Sequence, residues 1–203
     1  MERDTKLTRQ ELSVFKDLTF MPLKAKVWEK IEALLNQLRR QLSQCLLTST
    51  WDFSKTLFPS EGKIARGENY HTYAYRVLDH PAIFDRDHFF TFRTVILWGR
   101  PVGFHLILSG RYKDQFQPIF LAAANSFSDD FLISAQSDPW IWEPQSDQQF
   151  RVSATTEDQL KTILSARAFL KLSVYLPLEA YEQIPSQGVA VWQQIEKIFS
   201  AGK

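Results

Sequence analysis

With a single cysteine, Cys45, the chain can form no intrachain disulfide, and the neighbouring Leu42 and Leu46 mark that thiol as a small core residue rather than a reactive one. None of the seven glycines falls in a G-x-G-x-x-G or Walker arrangement, and neither G-x-S-x-G nor H-E-x-x-H occurs. Enzyme classes that carry a short signature are therefore unsupported. Ser60–Lys63 formally reads S-x-x-K, but Pro59 precedes it, Gly62 interrupts it, and no convincing S-D-N or K-T-G companion is present. Long apolar runs are also missing. The chain opens MERDTKLTRQ, charged and polar, with nothing behind it suited to export or to spanning a bilayer, so a cytoplasmic location is expected and a membrane is not expected as a partner. Nor is there an excess of either charge: a net +1 provides no global field to recruit nucleic acid, which is likewise not expected to bind.

What is present is an aromatic-rich chain of 203 residues, long enough for one well-packed domain, with 1–50 as a helical lobe and 51–203 as a sheet-containing body. From Lys24 to Leu47 the residues Val27, Ile31, Leu34, Leu35, Leu38, Leu42, Cys45 and Leu46 recur at three- and four-residue steps, which puts them on one stripe of an amphipathic helix. That stripe packs on the chain's own sheet or pairs with its copy in a second chain. A shorter helix precedes it, with Thr8 as N-cap and Glu11 as capping-box partner, and Met21-Pro22 is expected to break the run.

After Trp51 the period changes. Asn69–Leu78, Phe89–Trp98 and Val102–Gly110 are dense in aromatic and β-branched residues and read as strands, the last two forming a hairpin about Gly99-Arg100-Pro101. A three-residue loop would put Ile96, Trp98, Val102, Phe104 and Leu106 on one face and Arg93 with His105 on the other. With a four-residue loop Arg93 would instead share a face with Val95, Leu97, Phe104, Leu106 and Leu108. Either way both faces are apolar enough to need cover. Asp114–Phe127 is expected to be helical despite Pro118, Trp140–Pro144, Phe150–Ala154 and Lys171–Leu178 to be short strands, and Gly188–Ala201 a terminal helix. The helix between the last two strands opens on a Thr cap with acids in its first turn. The fold class that follows is α+β: a mostly antiparallel sheet with a central hairpin, packed by an N-terminal helical lobe and a C-terminal helix.

The chemistry-bearing residues are scattered. Two Asp-His pairs, Asp79-His80 and Asp87-His88, lie near each other, but their spacing fits no metal pattern, so neither a metal nor a cofactor is expected. The run Ser60–Pro81 is the densest in polar and aromatic groups. Lys63 and Arg66 flank Ile64-Ala65, and Gly62 and Gly67 free the backbone around them, so a loop here could aim cations and N–H groups at a small anion. Asn69 and Tyr70 would line such a pocket, with Arg93 or Arg111 closing it from the hairpin. Residues Lys113–Phe150 carry one lysine against Asp114, Asp129, Asp130, Asp138, Glu143 and Asp147, an acidic counterpart to the rest.

Two function classes are compatible with this. One is a non-catalytic binding or interaction protein, using an anion pocket or associating with a second copy through an apolar sheet face or helix. The other is an enzyme without a recognisable motif, His105 acting as acid or base while Arg93 or Lys63 holds the substrate. A carboxylate hydrogen-bonded to His105 inside a closed pocket would favour the enzyme.

Overall fold

The computed structural model describes residues 5–49, 62–144 and 147–200. Helix α1 (Arg9–Lys16) opens on a capping box in which Thr8 Oγ1 accepts from Glu11 N–H at 3.2 Å and Glu11 accepts from Thr8 N–H at 2.6 Å. Helix α2 (Phe20–Thr48) follows almost at once. The break falls at Asp17–Thr19, where Asp17 accepts from the backbone and hydroxyl of Thr19, and not at Met21-Pro22. Pro22 is harmless because it sits in the first turn of α2, where a backbone N–H has no intrahelical partner to lose. Helix α2 lays Ile31, Leu35, Leu38, Leu42 and Leu46 of the expected stripe into the core, whereas Val27 is exposed and Trp28, outside that stripe, is buried.

Strands β1 (Lys63–Tyr70), β2 (Tyr73–Asp85), β3 (His88–Leu97) and β4 (Val102–Ser109) form a meander. Together with β5 (Leu132–Ser134), β6 (Gln149–Arg151) and β7 (Phe169–Leu176) they make a seven-stranded sheet in the order β1-β2-β3-β4-β7-β5-β6, every pair antiparallel. The β3–β4 hairpin is central, flanked by β2 and β7. Helices α3 (Arg111–Ala122), α4 (Glu157–Ser165) and α5 (Ile184–Ser200) complete the α+β fold, and α4 starts on a second capping box, Thr156 with Gln159.

Several local expectations are corrected. The span Asn69–Leu78 is not one strand but a hairpin turning at His71-Thr72, with Tyr70 opposite Tyr73. Both turn residues have positive φ (48° and 77°), a conformation that sequences usually mark with Asn-Gly. Here stacking of the His71 and Tyr70 rings at 4.5 Å accompanies the turn instead. Trp140–Pro144 is not a strand, Phe150–Ala154 is a three-residue strand running into a 3-10 turn, and α5 begins four residues early at Ile184. The β3–β4 pairing sets Val95 opposite Gly103 and Arg93 opposite His105. That register matches neither loop length considered, yet it has the parity of the three-residue loop, so Arg93 and His105 do share a face.

Each sheet face has its own cover. On one, Leu78, Phe92, Ile96, Phe104, Leu106, Leu172 and Val174 join α2, α3 and α5 in a single apolar cluster around Trp192. The other lies under the segment Ala135–Glu143, a strap whose Trp140 and Trp142 rest on the strands.

Candidate functional site

Beneath the strap a polar row crosses the sheet. Register places Lys63, Asp79, Arg93, His105 and Ser173 side by side on β1, β2, β3, β4 and β7. In the next row lie Thr91, Ile107 and Lys171. Arg93 donates through Nε to Asp79 Oδ1 at 2.6 Å and through Nη2 to Oδ2 at 2.8 Å, and Thr91 Oγ1 donates to the same carboxylate at 2.9 Å. The Arg93 guanidinium is capped by the Trp140 ring 4.4 Å away.

His105 is wholly buried, its Nδ1 2.9 Å from Ser173 Oγ and its Nε2 without a partner. The ring lies across Gly103, where a Cβ would come within 2.4 Å of Nε2, so only glycine leaves room for it. Burial first, then the charges of Lys171 and Arg93, hold this imidazole well below its ordinary pKa, and it is neutral at pH 7. Among the described residues no carboxylate bonds to it.

Lys171 has no exposed surface, and its Nζ donates to the Ile141 carbonyl of the strap. Burial and the nearby Arg93 lower its pKa to about 7, against the opposing pull of Asp138 and Glu143. The strap is pinned elsewhere too. Tyr70 OH donates to Glu143 Oε2 at 2.9 Å and accepts from Trp142 N–H at 2.9 Å, and the two rings stack at 4.1 Å. Tyr175 OH, which accepts from Gln149 Nε2 at 3.0 Å, donates to the Trp142 carbonyl at 3.5 Å.

The residues named for an anion site do not converge. Ser60 and Glu61 lie outside the described residues, and the remainder of that run, Lys63–Tyr70, is strand β1 rather than a loop. Lys63, Tyr70, Arg93 and His105 belong to the strap face, Lys63 exposed at the sheet edge. Arg66 and Arg76, one residue out of phase with that row, point to the helix side, where both donate to Glu32 of α2 at 2.5 and 2.7 Å. Burial raises the Glu32 pKa, and the two arginines outweigh it to leave the carboxyl below its usual range. Asn69 is exposed at a bulge in β1, and Arg111 begins α3, donating to Tyr112 OH at 3.0 Å and through its backbone N–H to His88 at 3.1 Å. Sequence reading missed Asp79 as the Arg93 partner and Lys171 altogether. Alternation within Phe169–Leu176 held the signal for the latter, since Lys171 and Ser173 occupy one face of an otherwise apolar strand.

A second unusual surface lies at the N-terminus. Of the thirteen exposed large hydrophobic side chains among the described residues, nine (Leu7, Leu12, Val14, Phe15, Leu18, Phe20, Met21, Leu23 and Val27) sit on α1, its flanks and the first two turns of α2. Phe15 and Leu18 are 81% and 89% exposed. Helix α1 buries none of its own residues. A shallow groove of about 460 Å³ runs along it, lined by Leu7, Gln10, Glu11, Val14 and Phe15 at helical spacing. At about 1.5 Å per residue, the turns of α2 before Trp28 carry this arm roughly 12 Å past the first residue that α2 buries.

Among the described residues no helix is long and apolar enough to cross a membrane, and no group of three or more His, Cys, Asp or Glu side chains is placed to hold a metal ion. No protein-family model, no curated protein and no solved structure matches the chain.

Proposed function

We propose that the protein is a non-catalytic interaction protein whose working surface is the helical arm of α1 and the start of α2, docking another helix-bearing protein. The observation that carries this reading is the crowding of nine exposed large hydrophobic side chains into residues 7–27, across α1, which buries nothing of its own, its flanks and the first turns of α2. An eight-residue helix is marginal in water even with a capping box, because too few hydrogen bonds offset its nucleation cost. Leu12 and Phe15, set at i and i+3, and Val14 and Leu18, set at i and i+4, are anchors of the kind by which one amphipathic helix seats on another. The sheet does not compete for this role, since Arg93 is occupied by Asp79 and His105 has no carboxylate partner to make it an acid or base.

Hydrogen exchange on dilute, monomeric protein tests the reading. The amides of α1 should exchange almost unprotected while those of α2 beyond Trp28 are slow. If α1 in the monomer is as protected as α5, the arm is packed on its own chain and the reading fails.

One observation favours an enzyme as second reading: Lys171, a buried amine at about pH 7, beside Arg93 and His105. In that case Lys171 rather than His105 is the reactive group, and the strap must lift to admit a substrate. An aldehyde probe with cyanoborohydride at neutral pH should then label Lys171 ahead of the surface lysines.

A further inference from the structure

Resting on the reading of the arm as a docking surface, we infer that its partner is a second copy of this chain, the two α1 helices lying side by side and parallel about a two-fold axis. The order of residues in α1 carries the inference. Glu11, Leu12, Phe15 and Lys16 stand at the relative positions g, a, d and e of a heptad. Leu12 and Phe15 supply the apolar seam. An acid at g and a base five residues on at e is the spacing at which parallel helices form ion pairs across the seam, so Glu11 of each copy meets Lys16 of the other, and the two-fold axis makes both pairs at once. The Glu11 carboxylate accepts from Thr8 N–H in its capping box through one oxygen and is exposed, which leaves its second oxygen for Lys16 of the other copy.

Area agrees. The nine side chains, spread over α1, its flanks and the start of α2, together expose on the order of 1,000 Å², comparable with the roughly 800 Å² that each partner contributes to a standard interface. A seam of one heptad is too short to hold two chains alone. The start of α2 adds Phe20, Leu23 and Val27, again at i, i+3 and i+7, so the contact continues round the α1–α2 corner. Near-zero net charge sets little long-range repulsion against two copies meeting. The zone is locally basic, with Lys6, Arg9, Lys16, Lys24 and Lys26 against Glu11 and Asp17, so an anionic bilayer is the competing occupant, and the heptad order of Glu11 and Lys16 is what favours a second copy.

The test is sedimentation velocity over a concentration series on the full chain and three variants. Wild type should dimerise. Phe15→Ser should weaken the dimer about 100-fold. Its melting temperature in the dilute, monomeric state should not change, since the side chain is 81% exposed. Glu11→Lys and Lys16→Glu should each weaken self-association about ten-fold by placing like charges across the seam, and an equimolar mixture of the two should associate again as a heterodimer, in which every facing pair is opposite in sign. Loss in both variants without recovery on mixing would overturn the pairing. So would wild type remaining monomeric at concentrations on the order of 100 μM. In that event, unprotected α1 amides would leave the arm a surface for a different protein, whereas protected ones would remove the docking reading as well. Binding to vesicles of equal parts phosphatidylcholine and phosphatidylserine, lost in Phe15→Ser without any dimer, would assign the arm to a lipid surface and overturn the second copy.

Discussion

The two faces of the sheet are built by the same strands and closed in opposite ways. On the helix side the strands present Phe92, Phe104, Leu106, Leu172 and Val174, and three helices meet them with leucines and aromatic rings. On the strap side the same strands present Asp79, Arg93, His105, Lys171 and Ser173 under a short irregular segment carrying two tryptophans. The first face is held by area removed from water, which needs close packing but little direction. The second depends on buried charges and hydroxyls meeting partners, as Arg93 and Thr91 meet Asp79, which needs direction above all. Stability and specificity are therefore divided between the faces, and substitutions should separate them.

The largest effect should come from the apolar side. Phe92 is 1% exposed, with its ring 5.5 Å from that of Trp192, and Phe92→Ala should cost about 3–5 kcal/mol in chemical denaturation through lost transfer energy and a residual cavity. If the loss were under about 1 kcal/mol, the two-face account would be wrong at its stronger half.

Next is the ion pair. Asp79→Ala strands Arg93 and the Thr91 hydroxyl in a site where the Arg93 and Asp79 side chains are only 12% and 14% exposed, and should cost about 2–4 kcal/mol, somewhat below a fully buried pair. Adding Arg93→Met should recover much of that loss, since removing both partners leaves no uncompensated charge. Additive losses in the double variant would mean that Arg93 acts mainly through the Trp140 stack.

The smallest effect has the opposite sign. Lys171 is a base whose folded-state pKa, about 7, lies below its unfolded value of about 10.4. Between those values the unfolded chain binds the extra proton, so this residue's contribution to stability rises with pH across that window, and the full cost of burying its charge is present below about pH 7. Lys171→Met should therefore stabilise the fold at pH 6 by on the order of 1–2 kcal/mol and lose that advantage by pH 10. A variant that is less stable than wild type at pH 6 would show that the bond to Ile141 outweighs the desolvation. The histidines steepen the acid side: burial holds His80 at about 4 and His105 well below its usual value, so both oppose folding as pH falls through about 6.5.

Much of the fold was legible because it is written in local periods. The stripe from Ile31 to Leu46, the capping box at Thr8 and Glu11, and the hairpin of Phe89–Gly110 each depend on residues a few positions apart. The β1–β2 hairpin was not legible, since its turn uses His71 and Thr72 where a glycine would have signalled it. The site was legible only in part. Arg93 and His105 follow from hairpin parity, but the carboxylate that occupies Arg93 comes from β2, and the lysine beside them from β7, sixty-six residues further along than His105 by sequence number.

By itself the amino-acid order determined the apolar stripe of α2, the β3–β4 hairpin, that the sheet needs cover on both sides, and that α1 carries an acid, two apolar residues and a base in heptad order. Only the tertiary structure decided that Arg66 and Arg93 look out from opposite faces, that Asp79 silences the arginine, and that the strap rather than a helix closes the polar side. The reason is that side-chain alternation is a two-residue property readable from the chain, whereas the partners of a buried charge are chosen by which distant strands become neighbours, and that is fixed only when the whole sheet has closed.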